Sequence, residues 1–215
     1  MNPIKCYGLR NTHNMTLYII CHAEKEKGDF FNQRLNHQDQ PISQRGKEQA
    51  EKLVTYFADK EISNIYVSAY IRTGQTIAPL AKHLGLQPLI DERLNEIDNG
   101  LFDNASEEEI RKKFPAEWQI MREGRADFRF PQGETGEEAQ KRIIYFLNEK
   151  RKIHGDENTI MVSHEGLIRI LMCHITNNPV YHRRHFYVDF CGITEINDQP
   201  DYGIWKLMRF NQICS

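Results

Sequence analysis

Short apolar runs rich in β-branched and aromatic residues alternate with amphipathic stretches along this chain. The runs that predict strands are 17–21, 64–68, 87–90, 159–163, 187–196 and 204–210. Helical spacing and polar N-caps predict helices over 43–60, 71–84, 106–114, 135–152 and 166–175. This alternation favours an α/β fold, and we expect a three-layer α/β/α sandwich around a mostly parallel central sheet. A turn over 197–202 predicts an antiparallel pair of strands at one edge.

The length and composition are those of a single domain. The chain has 215 residues, of which 40% are hydrophobic, enough to build one full core. We expect one domain over 15–215. The preceding residues 1–14 show no apolar period and are predicted to be a dispensable tail. The interval 98–133 is longer than an ordinary connection, so we expect it to form a cap over a site.

Charge and cysteine usage narrow the classes of partner. A formal net charge of −2 argues against nucleic acid, but it allows a small phosphorylated substrate that needs only a local cationic pocket. The five cysteines are odd in number and form no close pair, which argues against a disulfide framework or a zinc site. No apolar run reaches the roughly 18 residues of a membrane span. We therefore expect a cytoplasmic protein that does not bind membranes, and the sequence does not predict its oligomeric state.

Polar residues follow three of the predicted strands. The first strand ends at Cys21-His22, the second ends at Ser68 with Arg72 one helical turn further on, and the fourth ends at Ser163-His164. In an open α/β sheet, ligands collect at the carboxyl ends of the strands. The sequence therefore predicts that two histidines and an arginine converge at one edge of the sheet.

Six segments of the chain, in order, resemble the motifs of one protein family. The first is Cys21-His22-Ala23-Glu24, where the family has Arg-His-Gly-Glu or Arg-His-Ala-Glu. The others are PISQRGKEQA (41–50), SAYIRTGQT (68–76), LNEIDNG (94–100), PQGET (131–135) and VSHEG (162–166). Together they resemble the histidine phosphatase superfamily, the phosphoglycerate-mutase-like enzymes, over about 16–210.

The resemblance implies a fold and a role for each matched residue. His22 would be the nucleophile that becomes a phosphohistidine, and Glu96 the acid/base. Arg72 and His164 would hold the phosphoryl group, with His164 the second active-site histidine and best as a cation. The implied activity is hydrolysis of a phosphate monoester by a phosphoglycerate-mutase-like fold that needs no metal and no cofactor.

Cys21 departs from the family pattern, because the family has a second phosphate-binding arginine at this position. Four interpretations follow. The chain could be a weakened phosphatase in which Arg45 or Arg10 partly fills the gap, or an inactive pseudophosphatase that binds a phosphorylated ligand or protein. It could instead be a phosphoglycerate-type mutase, or Cys21 could itself be a nucleophile or redox sensor. Retention of the other site residues favours the first interpretation.

Several other residues are candidates either for a role at the site or for a purely structural role. Glu134 is expected to fix a loop before a capping-box helix, and Asp98 is a weaker acid candidate than Glu96. Surface or packing roles are expected for a further group of residues, which are His174, His182, His185, Arg183, Arg184, Phe114 and Trp118.

Overall fold

The structure, a computed structural model, describes residues 14–103 and 105–214. It contains the following strands: β1 (Thr16–Cys21), β2 (Phe31–Asn32), β3 (His37–Gln38), β4 (Asn64–Val67), β5 (Leu89–Ile90), β6 (Thr159–Ser163), β7 (Ile193–Gln199) and β8 (Ile204–Gln212). The predicted tail, 1–14, lies outside the described residues except for Asn14. β2 and β3 form a small antiparallel pair that the sequence reading missed.

The other six strands form the central sheet, in the order β5-β4-β6-β1-β7-β8. The first four are parallel, whereas β7 runs antiparallel to β1 and β8 antiparallel to β7. The predicted fold class and the predicted antiparallel edge are therefore confirmed. Because β4, β6 and β1 are parallel neighbours, their carboxyl ends meet at one edge, where the predicted site residues follow.

Helices cover both faces of the sheet. They are α1 (Gln44–Phe57), α2 (Ile71–Leu84), α3 (Glu107–Lys113), α4 (Pro115–Glu123), α5 (Gly136–His154) and α6 (Glu165–Ile175). Side chains of β1 alternate between two cores: Tyr18 and Ile20 pack with α1 and α2, whereas Leu17, Ile19 and Cys21 pack with α5 and α6. None of the helices in the described ranges is long and apolar enough to cross a membrane.

Local capping explains where α1, α3 and α5 begin. Ser43 caps α1 by accepting a hydrogen bond from the backbone N–H of Gly46. Capping boxes start α3, at Ser106, and α5, at Thr135, where a glutamate three residues on completes each box. Gly85 ends α2 with a φ of 66°, a left-handed conformation that glycine adopts without strain.

The predicted strand over 187–196 was wrong in its first half. β7 begins only at Ile193, and residues 187–192 form a loop. Cys191 has a φ of 54°, and its N–H donates to the carbonyl oxygens of Cys21 and His22 instead of to a strand partner. The aromatic run therefore belongs to a loop that crosses the end of β1, and this brings Tyr187 and Phe190 to the site.

The interval 98–133 holds a 3₁₀ turn (Gly100–Phe102), α3 and α4. Its aromatic residues pack together, with ring centroids 5.4 Å apart for Phe102 and Phe130 and 4.7 Å apart for Phe128 and Phe130. Phe114 and Trp118 pack against the same core. These contacts fit the packing role expected for both residues, and the role of this segment as a cap over the site stays a prediction.

Candidate active site

His22 follows β1, and its backbone N–H donates to the carbonyl oxygen of Ser163 at the end of β6, at 3.0 Å. Its side-chain Nδ1 lies 2.8 Å from the carbonyl oxygen of Ala23. A carbonyl can only accept, so Nδ1 carries the proton and Nε2 keeps its lone pair. Burial, and then the charge of Arg72, lowers the pKa of His22 to about 3. The ring is therefore neutral at physiological pH, as a nucleophile requires.

Arg72 lies in the first turn of α2 and is 5% exposed. Its guanidinium lies 4.3 Å from the ring centroid of Tyr70, and its Nη2 is 3.1 Å from Nδ1 of His164. Nη1 is 3.8 Å from an oxygen of Asp39, too far for a hydrogen bond. Nε and Nη1 are buried without a hydrogen-bond partner among the described residues. A buried cation with two unused donors is a strong indication of an anion site.

His164 follows β6 and is fully buried. Its Nε2 is 2.8 Å from the hydroxyl of Ser68, and that hydroxyl is 3.0 Å from the hydroxyl of Thr73. Because Nδ1 faces the donors of Arg72, it acts as the acceptor and Nε2 carries the proton. Burial, and then the charge of Arg72, holds the pKa of His164 well below its usual range. This ring is therefore neutral in the free protein, and the expectation that a cationic His164 holds the phosphoryl group stays a prediction for the ligand-bound state.

Glu96 lies between two 3₁₀ turns, and its carboxylate faces the N-terminus of α6. It accepts hydrogen bonds from the backbone N–H groups of Ile97, Gly166 and Leu167 at 2.9, 3.2 and 3.0 Å. A Cβ on Gly166 would approach Oε1 of Glu96 to 2.6 Å, so a larger residue here would displace the Glu96 carboxylate. Burial raises the pKa of Glu96 even though these N–H groups oppose the shift. A raised pKa suits a group that must donate a proton near neutral pH.

Cys21 is buried at the last position of β1, and burial raises the pKa of its thiol well above the usual range. The thiol is therefore un-ionised, which argues against a nucleophilic or redox role. Arg45 does not fill the place of the missing arginine: its side chain is 74% exposed and lies 3.5 Å from Glu24. Arg10, the other candidate, lies outside the described residues.

These side chains surround one cavity of about 430 Å³ at the carboxyl ends of the strands. The structure brings Cys21, His22, Arg72 and Glu96 into its lining. His164 lies behind them, with its ring centroid 5.2 Å from that of His22. Five residues from separate parts of the sequence thus lie together at this edge of the sheet. They are Cys21, His22, Arg72, Glu96 and His164.

Sequence analysis missed several residues that line the same cavity, and three of them are close to His22 in space or in sequence. Tyr187 and Phe190 were hidden by the wrong strand assignment, and the ring centroid of Phe190 is 5.7 Å from that of His22. Lys25 lies three residues after His22 and directly follows the motif at 21–24. The sequence feature that could have indicated its role is a cation close in sequence to the position where an arginine is missing.

The remaining candidates have structural contacts. Glu134 accepts from the backbone N–H of Asp98 at 2.9 Å and from Arg142 at 2.6 Å, so it holds the loop that follows Glu96. Asp98 accepts from the backbone N–H of Gly100 at 2.7 Å. Arg183 pairs with Asp127 at 3.3 Å. None of these five charged side chains lines the cavity that holds His22.

The histidines of the later helical segments also lie away from this cavity. His182 and His185 stack on each other with ring centroids 4.8 Å apart. His174 lies in the last turn of α6, and Arg184 is exposed, with its Nη1 3.5 Å from the carbonyl oxygen of Met121. These positions agree with the surface roles expected for them.

Comparison with known proteins identifies the family. Residues 17–212 match the histidine phosphatase superfamily (branch 1). Phosphoserine phosphatase 1 of Hydrogenobacter thermophilus is 30% identical over 160 residues, which cover 73% of this chain and 74% of that protein. The chain therefore belongs to the histidine phosphatase superfamily. Its class of enzyme is that of a phosphatase.

Solved structures show the same fold. Bacillus stearothermophilus YhfR superposes with a TM-score of 0.78 at 23% identity, over 93% of this chain and 98% of that one. The alpha-ribazole phosphatase of Shigella flexneri gives a TM-score of 0.76 at 22% identity, over 92% and 96% of the two chains. At these identities the likeness concerns the architecture, which is the phosphoglycerate-mutase-like α/β/α sandwich.

Proposed function

We propose that this protein hydrolyses small phosphate monoesters through a phosphohistidine on His22. The observation that carries the proposal is the pairing of a neutral His22, whose Nε2 lone pair is free, with the two unused donors of buried Arg72. The first group can attack phosphorus, and the second can bind the non-bridging oxygens on which charge accumulates.

The first step transfers the phosphoryl group to the protein. A bond forms between Nε2 of His22 and phosphorus, in line with the ester oxygen, and the phosphorus–oxygen ester bond breaks. The departing oxygen takes a proton from the carboxyl of Glu96, whose raised pKa favours the protonated form. The alcohol leaves, and His22 carries the phosphoryl group.

The second step clears the intermediate with water. The Glu96 carboxylate takes a proton from a water molecule as its oxygen attacks phosphorus. The phosphorus–nitrogen bond then breaks, which returns its electron pair to Nε2 and releases inorganic phosphate. Each group ends in its starting state, and the sequence as written uses no metal ion and no organic cofactor.

His164 acts through Arg72 in this scheme. Its Nδ1 accepts from Nη2, which fixes the orientation of the guanidinium and leaves Nε and Nη1 without a hydrogen-bond partner among the described residues. A dianion bound beside the two residues favours a proton on Nδ1, because it offsets the charge of Arg72. Protonated Nδ1 no longer accepts from Nη2, and it can donate to the phosphoryl group instead, as the family resemblance implies.

The lining of the cavity does not name one substrate. The relative from Hydrogenobacter thermophilus is named a phosphoserine phosphatase, so L-phosphoserine belongs in the first substrate panel. p-Nitrophenyl phosphate is added to that panel as an activated ester. Phosphoglycerate is added as a test of mutase chemistry.

Cys21→Arg tests whether the missing arginine limits the rate. We expect the substitution to raise kcat/KM for p-nitrophenyl phosphate by about 10²–10³, because it adds a preorganised cation to the charge that develops in the transition state. Cys21→Ser, a neutral control of similar size, should stay near the wild-type value. Thermal unfolding of each variant checks that the buried position tolerates the change.

The same experiment decides between an enzyme and a phosphate-binding pseudophosphatase. If neither the wild type nor a folded Cys21→Arg variant hydrolyses any ester of the panel, while both bind inorganic phosphate, the enzyme proposal is wrong and the binding interpretation stands.

Glu96→Gln tests the proton donor through the pH profile. In the wild type, kcat/KM should fall as pH rises through the raised pKa of Glu96, because only the protonated carboxyl donates. His22 loses its lone pair only near its pKa of about 3. For phosphoserine, the variant should lose about 10²–10⁴ in kcat/KM and should lack the alkaline fall.

A second substrate separates proton donation from a merely structural role of Glu96. p-Nitrophenolate leaves without protonation, so Glu96→Gln should slow the transfer step far less for p-nitrophenyl phosphate than for phosphoserine. Single-turnover kinetics isolate that step. Equal losses for the two esters would contradict the assignment of Glu96 as the acid.

A further inference from the structure

The cavity around His22 holds one buried cation, Arg72, where a phosphoryl dianion carries two negative charges. Cys21 supplies no charge, because its thiol is un-ionised. Of the other basic side chains in the lining, His37 is engaged with Asp103 at 2.9 Å. Lys25 is the remaining one among the lining residues.

The backbone around Lys25 is held firmly beside His22. Lys25 forms an antiparallel bridge with Ile42. The N–H of Glu26 donates to the carbonyl oxygen of Pro41, and the N–H of Ser43 donates to the carbonyl oxygen of Glu24, each at 2.8 Å. The start of the Lys25 side chain is therefore fixed at the rim of the cavity, while its four-carbon stem can still adjust to a ligand.

The ammonium group of Lys25 has no carboxylate within ion-pairing distance in the part of the chain that the structure describes. Desolvation, and then repulsion from Arg72, lowers its pKa. The positive charge of Lys25 also contributes to lowering the pKa of His22 and of His164. Lys25 and Arg72 thus line one cavity, and an anion bound between them would offset the repulsion that lowers the pKa of Lys25.

We propose that Lys25 is the second phosphoryl-binding cation of this site and takes over the task of the arginine that is absent at position 21. The inference rests on the proposed phosphatase function, since it concerns the same phosphoryl group. Arg72 binds the group from inside the cavity, and Lys25 binds another non-bridging oxygen from the rim as a point charge on a flexible stem.

Binding of inorganic phosphate and of orthovanadate to the full chain tests the proposal without requiring turnover. Lys25→Met keeps the length of the stem and removes the charge. We expect the substitution to weaken the binding of both anions by about 10- to 100-fold in calorimetric titrations, the range for a lost charge-assisted hydrogen bond. Lys27→Met is the matched control, because Lys27 is exposed two residues further on and does not line the cavity.

Two further variants exclude a merely structural effect. Lys25→Arg should retain most of the affinity, because it keeps a cation at the rim. The double variant Cys21→Arg/Lys25→Met should recover phosphate affinity, and also kcat/KM, relative to Lys25→Met alone. Thermal unfolding confirms that each variant is folded.

The outcomes separate this inference from the proposed function. If anion binding depends on Lys25 but the protein turns over no ester, the inference is supported and the proposed phosphatase function is wrong. If turnover requires His22 but Lys25→Met binds phosphate as tightly as Lys27→Met does, the inference about Lys25 is wrong and the proposed phosphatase function stands. A wild type that binds neither anion overturns both.

Discussion

Replacing His22 with alanine is expected to lower kcat for every ester that the wild type hydrolyses by about 10⁴-fold or more, because no phosphorus–nitrogen bond can form. The buried Arg72 remains in place, so the variant should still bind phosphate. The measurement is kcat/KM for p-nitrophenyl phosphate beside the dissociation constant of inorganic phosphate. Near-normal phosphate binding combined with lost turnover is the signature of a missing nucleophile.

Trapping the intermediate makes the same prediction chemically specific. A rapid alkaline quench during turnover of a ³²P-labelled ester should leave an acid-labile label on the wild type and none on His22→Ala. His83→Ala is the control, because His83 is exposed on α2, away from the cavity, and this variant should label and turn over normally. A label that persists in His22→Ala would place the covalent step on another residue.

Replacing Arg72 has the second large expected effect. Arg72→Met should lower kcat/KM by about 10²–10³, because it removes the buried donors aimed at the phosphoryl group. Arg72→Lys should recover only part of the loss, since an ammonium lacks the two-donor fork. Removal of the charge should also raise the pKa of His164 and of His22, which Arg72 now lowers.

Titration of the imidazole signals by NMR measures that shift directly. Arg125→Met is the control, because Arg125 is exposed in the loop after α4 and lies away from the cavity. Unchanged histidine pKa values in Arg72→Met, together with full activity, would show that this guanidinium does not act at the site.

Much of the fold follows from local pattern. β6 and α2 have the predicted ends, and α1, α3 and α5 begin at the predicted caps, since capping and hydrophobic periodicity depend on residues close in sequence. The edge where the site forms could also be predicted, because parallel strands bring their carboxyl ends together wherever they pair.

The errors lie where distant contacts override local preference. The aromatic run that begins at Tyr187 reads as a strand, yet the N–H of Cys191 bonds to the end of β1, and the chain turns. The neutral state of His164 also depends on tertiary contacts, because Arg72 comes from another element and lies 92 residues away in the sequence. No local pattern reports such a pair.

The sequence by itself determined the α/β class, the order of the elements and the identity of the residues that end the strands, because strand, helix and cap formation are local. Only the tertiary structure decided what those residues can do. Burial sets the pKa values of His22 and Glu96, and packing leaves two donors of Arg72 unused. The path of the chain also turns Lys25 toward a cavity in which Cys21 offers no charge. These properties depend on neighbours from other parts of the chain, so they arise only when the whole chain has folded.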